Sequence, residues 1–517
     1  MPAFKRPLYG LNLPKFEEQI AHRYFAEHQP LSAQTIANGI ILPLLKTELP
    51  ALNAVYEGGV CDSQFNFIAG YKRNNTEKAR NYECVRAYTP SAQTTILNSD
   101  EDVIWGGIAY SHFGHFITDT FARLWWVIRN QAFDKKIIFV KNRAFNHENF
   151  MPFFRMMGIN PDNIVFLDKP TRFQSITIPD QSFYFFSNYH REFTVPYEAI
   201  RQSVQPAEHK KIYLSRTRLA RQDCVNEEYF ENFYRERGYT IVYPEQLSLA
   251  EQIALISGAD EVVCTLGTLS HLALFAKSQT RFVILLRTRE KLNVTQILIN
   301  QANDIHAVFV DVTCNFLPSR YTAYCFYIGP NHTWKRFVAE EYGEQLDIDL
   351  TTYLNSAESR FGKYLQLWQQ VFSEPKEFKK IQNDTAFDFL ENLEIIFSHS
   401  DVSFETVAAK LAKQFNDSDG LKNKLADKTF VFSRIDGSHA RTIRLNGNGA
   451  LDTVAGEANR NEQFWRIQNN KLVFLDHRKG LTSTYFSVHP AKNGLEALGY
   501  FERNHAIVFK LSEVIEK

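Results

Sequence analysis

Glu261-Val-Val-Cys-Thr-Leu-Gly-Thr-Leu-Ser-His-Leu-Ala-Leu-Phe-Ala276, followed after five residues by Phe282-Val-Ile-Leu-Leu286, is the stretch that decides the fold. It reads as an apolar run of strand length, a glycine turn, a helical stretch over Leu269–Ala276 and a second apolar run. Strand, helix and strand at this spacing make a parallel βαβ unit. Working outward, the same texture extends from about Val103 to Val310. Strands are expected at Val103–Trp105, Ile137–Val140, Ile164–Leu167, Ser175–Ile178, Lys211–Leu214, Thr240–Tyr243 and Ala307–Val310. Helices are expected at Phe116–Asn130, His147–Met157, Glu227–Arg237, Leu249–Ile256 and Val294–Gln301. This is material for two doubly wound α/β lobes, with a boundary in the polar, proline-containing stretch Thr194–His209.

The flanks differ. Residues 1–95 are weakly patterned and rich in Asn, Tyr and Thr. Tyr353–Phe372, Ala386–Phe397 and Phe404–Phe415 read as amphipathic helices. Residues 428–511 alternate like strands separated by turns such as Asp436-Gly437 and Asn448-Gly449. The expected division is therefore 1–200 (N-terminal region and first lobe), 201–339 (second lobe), 340–420 (helical linker or subdomain) and 421–517 (a small antiparallel β domain, sandwich-like).

Composition narrows the function. The 517 residues carry 58 Lys+Arg against 58 Asp+Glu, which argues against a nucleic-acid coat or a polybasic membrane binder. No run approaches the ~20 apolar residues of a membrane span. Met1–Gln19 has no apolar core of signal-peptide length, so a soluble, cytoplasmic protein is expected. The six cysteines are scattered without a CxxC pair, which points to reduced structural thiols.

Three short segments carry candidate chemistry. In Tyr110–Trp126, His112, His115, Asp119 and Arg123 step by three and four residues onto one helical face. A His beside an Asp suits a general base and its orienting partner. A capped helix with a surface His pair and an Asp119–Arg123 ion pair is the plain alternative, and a metal site from His112, His115 and Asp119 lacks a further ligand at suitable spacing. In Lys210–Arg221, a strand runs into Arg216, Arg218 and Arg221, whose planar guanidinium groups suit a phosphate. A solvated basic loop would read the same way. Asn226 is placed to cap the next helix. In the opening stretch, Gly267, Thr268 and Ser270 lie where a helix N-terminus would face an anion, although an ordinary turn has the same residues.

Taken in order, these motifs resemble the catalytic domain of glycosyltransferase family 61. The pieces are Gly114-His115 through Asp119 and Arg123-Leu124-Trp125; Tyr213-Leu-Ser-Arg216 with Asn226-Glu227; Gly238-Tyr-Thr-Ile-Val-Tyr-Pro-Glu245 with Leu247 to Ile253; and the glycine turn before Leu272-Ala-Leu-Phe275. The resemblance implies a GT-B pair of Rossmann-like lobes, a nucleotide-sugar donor in the cleft (a UDP-sugar by preference) and inversion at the anomeric carbon. It puts His115 or Asp119 as the base, His112 and Arg123 on the acceptor side, and Arg216, Arg218 and Arg221 on the pyrophosphate. Glu245 and Glu251 would reach the ribose or base, with Gly267, Thr268 and Ser270 also on the donor side. The family's Gly-x-His-Gly-Ala turn reads Cys264-Thr-Leu266-Gly267-Thr268 here, so Leu266 replaces the histidine, and His271 is not assumed to substitute. Arginines and a helix terminus can carry the leaving diphosphate, and no metal-binding Asp-x-Asp motif is read in residues 100–310, so no metal or other cofactor is expected.

The implied activity is that of a hexosyl- or pentosyltransferase in bacterial capsule or other surface-polysaccharide synthesis. Its acceptor would be an oligosaccharide, polysaccharide or glycolipid. Its further partners would be the inner face of the membrane or a capsule assembly complex, with no nucleic acid. Two other readings stand beside it: transfer of a phosphate-linked group to a polysaccharide, and a non-catalytic glycan-binding scaffold. The C-terminal segments Asn461–Trp465, Leu472–Leu475 and Gly480–Thr484 resemble β modules appended to such enzymes, with Phe464, Trp465 and Phe474 either core or glycan-facing.

Overall fold

The computed structural model describes residues 4–346 except 11–13, 27–29, 50–51, 74–82, 220–223, 289–291 and 316–324, then positions 363, 364 and 367, then 420–515 except 435–437, 458–460, 469–470 and 492–493. The helices expected between 353 and 415 lie outside the described residues, positions 363, 364 and 367 apart.

The stretch 261–286 forms the centre of a six-stranded parallel sheet. Its order is Thr240–Val242, Lys211–Leu214, Glu261–Thr265, Arg281–Leu286, His306–Asp311 and Leu8–Tyr9. Every residue of Glu261–Thr265 and Arg281–Leu286 is buried. That is the condition of a parallel sheet covered on both faces. Leu8–Tyr9, from the start of the chain, pairs in parallel with Phe309 and Val310. Helices Glu227–Arg235 and His332–Tyr342 cover one face through Phe230, Trp334 and Phe337.

A nine-stranded sheet carries the other half. Thr171–Pro179, Leu97–Ala109, Lys136–Lys141 and Ile164–Leu167 are parallel neighbours. Ala33–Ala37, Ile40–Leu49, Leu52–Cys61 and Phe67–Ala69 add antiparallel strands, and Cys84–Arg86 a short parallel one. The weakly patterned first 95 residues thus form much of this sheet. Their pairing partners lie up to the 170s in sequence, so local periodicity does not reveal them.

An aromatic core joins the two sheets. Phe116 stacks on Phe150 at 3.9 Å between ring centroids, and Phe153 stacks on Phe275 at 5.8 Å. Helix Val195–Gln202 brings Tyr197 against the same Phe275 at 5.7 Å, and the Tyr197 hydroxyl donates to the Ile117 carbonyl. Much of the aromatic excess is therefore structural.

The C-terminal strands form one eight-stranded antiparallel sheet rather than a sandwich of two. Each strand pairs with its sequence neighbour, and Lys428–Arg434 pairs with Asn504–Glu513. The remaining edges, Leu451–Ala455 and Phe464–Gln468, approach at the Ala450–Phe464 bridge. The sheet therefore curls into a barrel-like form. Trp465 and Phe474 are buried in its core, whereas Phe464 is half-buried under Lys479. Among the described residues no helix is long and apolar enough to cross a membrane.

Candidate active site

Strand Leu97–Ala109 ends beside the histidines, at the carboxyl edge where open α/β sheets place ligands. The expected single helix Phe116–Asn130 is broken. It runs as Phe113–Thr118, tightens to a 3-10 turn over Thr120–Arg123 and resumes as Leu124–Arg129. Two side chains favour the break. Thr118 Oγ1 lies 2.9 Å from the Gly114 carbonyl and shares its one proton between that oxygen and the Asp119 carboxylate, a back-bond that bends helices. Arg123 turns away to the carbonyls of Pro179 and Gly70. Arg123 is buried, and that burial brings its guanidinium down to about 10. It does not pair with Asp119.

Asp119 has other partners. His115 Nδ1 is 3.1 Å from its Oδ2, Thr118 Oγ1 donates to the same oxygen at 2.6 Å, and the Tyr71 hydroxyl donates to Oδ1. Arg73 Nε lies 4.0 Å away. Burial by itself would raise this carboxyl, but His115, Arg73 and Thr118 outweigh it and hold it below its ordinary value. An ionised Asp119 accepts the Nδ1–H of His115, which leaves Nε2 as the imidazole's acceptor. The Asp119 side chain has no exposed surface while that of His115 keeps 29 %. His115 is thus the member of the pair open to a substrate. The Phe185 ring stands 4.8 Å from the imidazole, and Arg73 lies over the same ring at 4.3 Å.

Two residues of this cluster come from the weakly patterned N-terminal region: Tyr71 and Arg73. A third comes from the other sheet. His271 packs so closely on the histidine helix that a Cβ at Gly114 would lie 3.3 Å from its Cδ2. Gln296 gives both amide protons to Ser270 O and Asn300 Oδ1, so its Oε1 accepts Nδ1–H from His271 at 2.8 Å. Burial depresses His271 to about 4, so it is neutral with Nε2 bare. The turn 265–271 therefore links the two carboxyl edges. His112 sits at the exposed start of the helix, its ring 5.4 Å from that of His115.

The second cluster lies at the end of Lys211–Leu214. The backbone N–H of Arg216 and the Tyr213 hydroxyl each donate to Glu227 Oε1 at 3.2 Å. Glu227 is fully buried, and that burial raises its carboxyl to about 8 even though Arg216 and Arg287 oppose the shift. Arg287, directly after strand Arg281–Leu286, lies so close to Gly267 that a Cβ there would meet its Nη2 at 2.7 Å. Gly267 has φ +142°, a conformation reserved for glycine. No spacing motif singles out Arg287; its position directly after the apolar run Phe282–Leu286 is the signal that points to it.

The remaining expected donor residues are dispersed or engaged. Arg218 is exposed, stacked over Tyr243 at 3.9 Å and bonded to Gln246. Arg221 lies outside the described residues. Glu245 is exposed, and Glu251 completes the capping box of Ser248, which holds its carboxyl below the ordinary value. Ser270 Oγ closes its own turn on Gly267, and the segment after it is a 3-10 helix rather than an α-helix. Thr268 is half-buried, with its carbonyl taken by His271 N–H. Asn226 is left-handed at φ 72° and gives its amide to the Ile328 carbonyl instead of capping a helix.

Asp100-Glu101-Asp102 does spell Asp-x-Asp, contrary to the sequence reading. It lies at the opposite end of strand Leu97–Ala109 from the histidines and is held by Lys136 and Ser175. Among the described residues no three His, Cys, Asp or Glu side chains are grouped as metal ligands.

Residues 113–283 match the family model described as Glycosyltransferase 61. The match begins at the histidine helix and ends in strand Arg281–Leu286, so of the two clusters it leaves out Tyr71, Arg73, His112, Arg287 and Gln296. No curated protein matches the chain.

Proposed function

The chain carries a glycosyltransferase 61 domain, and on that premise we propose that it moves a sugar, with inversion, from a nucleotide-sugar donor to a glycan acceptor. A UDP-sugar is the preferred donor, and bacterial capsule or other surface-polysaccharide synthesis the setting, at the cytoplasmic side of the membrane. The two α/β halves serve as a GT-B pair. The observation that carries this reading is the His115–Asp119 contact of 3.1 Å, with the carboxylate enclosed and the imidazole partly open.

His115 Nε2 takes the proton from the acceptor hydroxyl. Asp119 keeps the imidazole in the required tautomer and stabilises it once protonated. The hydroxyl oxygen forms the new bond at the anomeric carbon as the bond to the diphosphate breaks. The leaving nucleoside diphosphate takes that electron pair, and Arg216 and Arg287 balance its charge. Neutral His271 offers a hydrogen-bond acceptor without adding charge beside His115. With arginines in that role, turnover persists in EDTA.

A thermal-shift screen against UDP, GDP, CMP and CDP, with and without EDTA, tests the donor side. A nucleotide at 100 times its dissociation constant stabilises the fold by about 2.7 kcal/mol. One selective, EDTA-insensitive shift is expected. No shift with any nucleotide in a folded sample would favour a scaffold that binds glycan without turnover.

A further inference from the structure

The C-terminal barrel has one plugged end and one open end. Leu421 and Leu425, from the short helix before the first strand, join its apolar core, and Asp427 N–H bonds the Leu445 carbonyl. Arg441 begins the strand that Leu445 ends, so it lies at the opposite mouth. There a cavity of about 700 Å³ opens between the turns, walled by Phe432, Phe501 and Phe509. Arg441 and Glu462 also line it. They are 8 % and 3 % exposed and 2.5 Å apart, and the guanidinium lies 4.7 Å over the Phe432 ring.

This pair is incompletely satisfied. Arg441 Nε is buried without a hydrogen-bond partner among the described residues, as are Ser483 Oγ and the Tyr485 hydroxyl in the same barrel. Native interiors leave few such groups unpaired, because a donor or acceptor taken out of water without a partner destabilises the fold. Of these residues Arg441 lines the cavity, so a bound hydroxyl there would supply the partner that its Nε lacks. The net charge of the pair is zero, and the rim carries both signs in Arg434 and Glu457, so neither an anion nor a cation is favoured. Aromatic walls beside one donor and one acceptor suit a ring with an apolar face and equatorial hydroxyls.

We infer that the barrel mouth is a second binding site, for one or two units of a neutral sugar chain, with Arg441 and Glu462 bonding its hydroxyls and Phe501 and Phe509 packing its ring. The site stands independently of the transferase reading, since it shares no residue with the histidine cluster.

Saturation-transfer NMR on the full chain, with glucose, galactose, N-acetylglucosamine, maltose, lactose and chitobiose as probes, tests it. Glucuronate and inorganic phosphate are the charged comparisons. At least one neutral sugar should give a signal that survives His115→Ala. That signal should weaken tenfold or more in Phe501→Ala, a half-buried rim position, and in Glu462→Gln, with the fold of each variant checked by its thermal transition. No signal from any neutral sugar, a signal lost with His115→Ala but kept in Phe501→Ala, or tighter binding of the charged probes would each overturn the assignment.

Discussion

Asp119 and Glu227 are both enclosed carboxyl groups, one on each α/β half, yet they are held in opposite protonation states. Asp119 accepts from Tyr71, Thr118 and His115 with Arg73 nearby, and stays below its ordinary value. Among the described residues Glu227 accepts from a phenol and a backbone N–H, both at 3.2 Å, and burial carries it to about 8. Burial alone therefore does not set the state of a carboxyl; the neighbouring charges and the donors aimed at it act against burial. One group holds the His115 imidazole by its Nδ1. The other is raised to about 8 by burial, against the opposing pull of Arg216 and Arg287.

The largest test of this contrast is Asp119→Asn. It deprives His115 Nδ1 of its charged acceptor, and single-turnover rates should fall about 10²–10⁴-fold, the usual worth of general-base catalysis. Nucleotide-induced thermal shifts should be retained. An unchanged rate would remove Asp119 from the mechanism.

Tyr71→Phe comes next. It removes a buried hydrogen bond to a charged group, worth about 1.5–3 kcal/mol by denaturant titration. It also tests whether residues outside the family match belong to the site. A loss below 0.5 kcal/mol, the range of ordinary surface changes, would mean that the bond contributes nothing.

Glu227→Gln probes the other member. Its folded value of about 8 lies above the ordinary carboxyl range, so its neutral form stabilises fully at low pH. That contribution declines as pH rises from about 4.5 through 8. Glutamine cannot ionise, so the variant should gain stability relative to the parent across that window. Parallel profiles would show that Glu227 is already ionised at neutral pH. Asp119 behaves oppositely: its contribution is complete above the ordinary carboxyl range and lost only as pH falls below it.

The smallest effect belongs to Arg218→Ala. The exposed stack on Tyr243 predicts a stability change within about 0.5 kcal/mol. Arg216→Ala should weaken the nucleotide-induced shift more than Arg218→Ala does. The reverse order would place the diphosphate nearer the exposed loop.

The legible parts of the site share one property. His112, His115 and Asp119 sit within eight residues, and Lys211–Leu214 and Ile164–Leu167 form the strands expected from their apolar runs. Local spacing and local hydropathy were enough there. The same logic failed at Arg123, where helical periodicity implied a pairing with Asp119. The carbonyls that take its guanidinium belong to positions 70 and 179. It failed again at Asn226, whose amide partner is a hundred residues away.

By itself the sequence determined the alternating strands and helices, the parallel sheets they imply, and the histidine–aspartate and arginine motifs. Each is encoded by neighbours within one turn or one strand. Tertiary structure alone decided that Tyr71 and Arg73 close over Asp119, that His271 reaches the histidine helix, and that Arg287 lies against Gly267. It also decided that the C-terminal strands curl into one barrel with a polar mouth. These are contacts between segments far apart in the chain, and they form only when the burial of distant apolar faces brings them together.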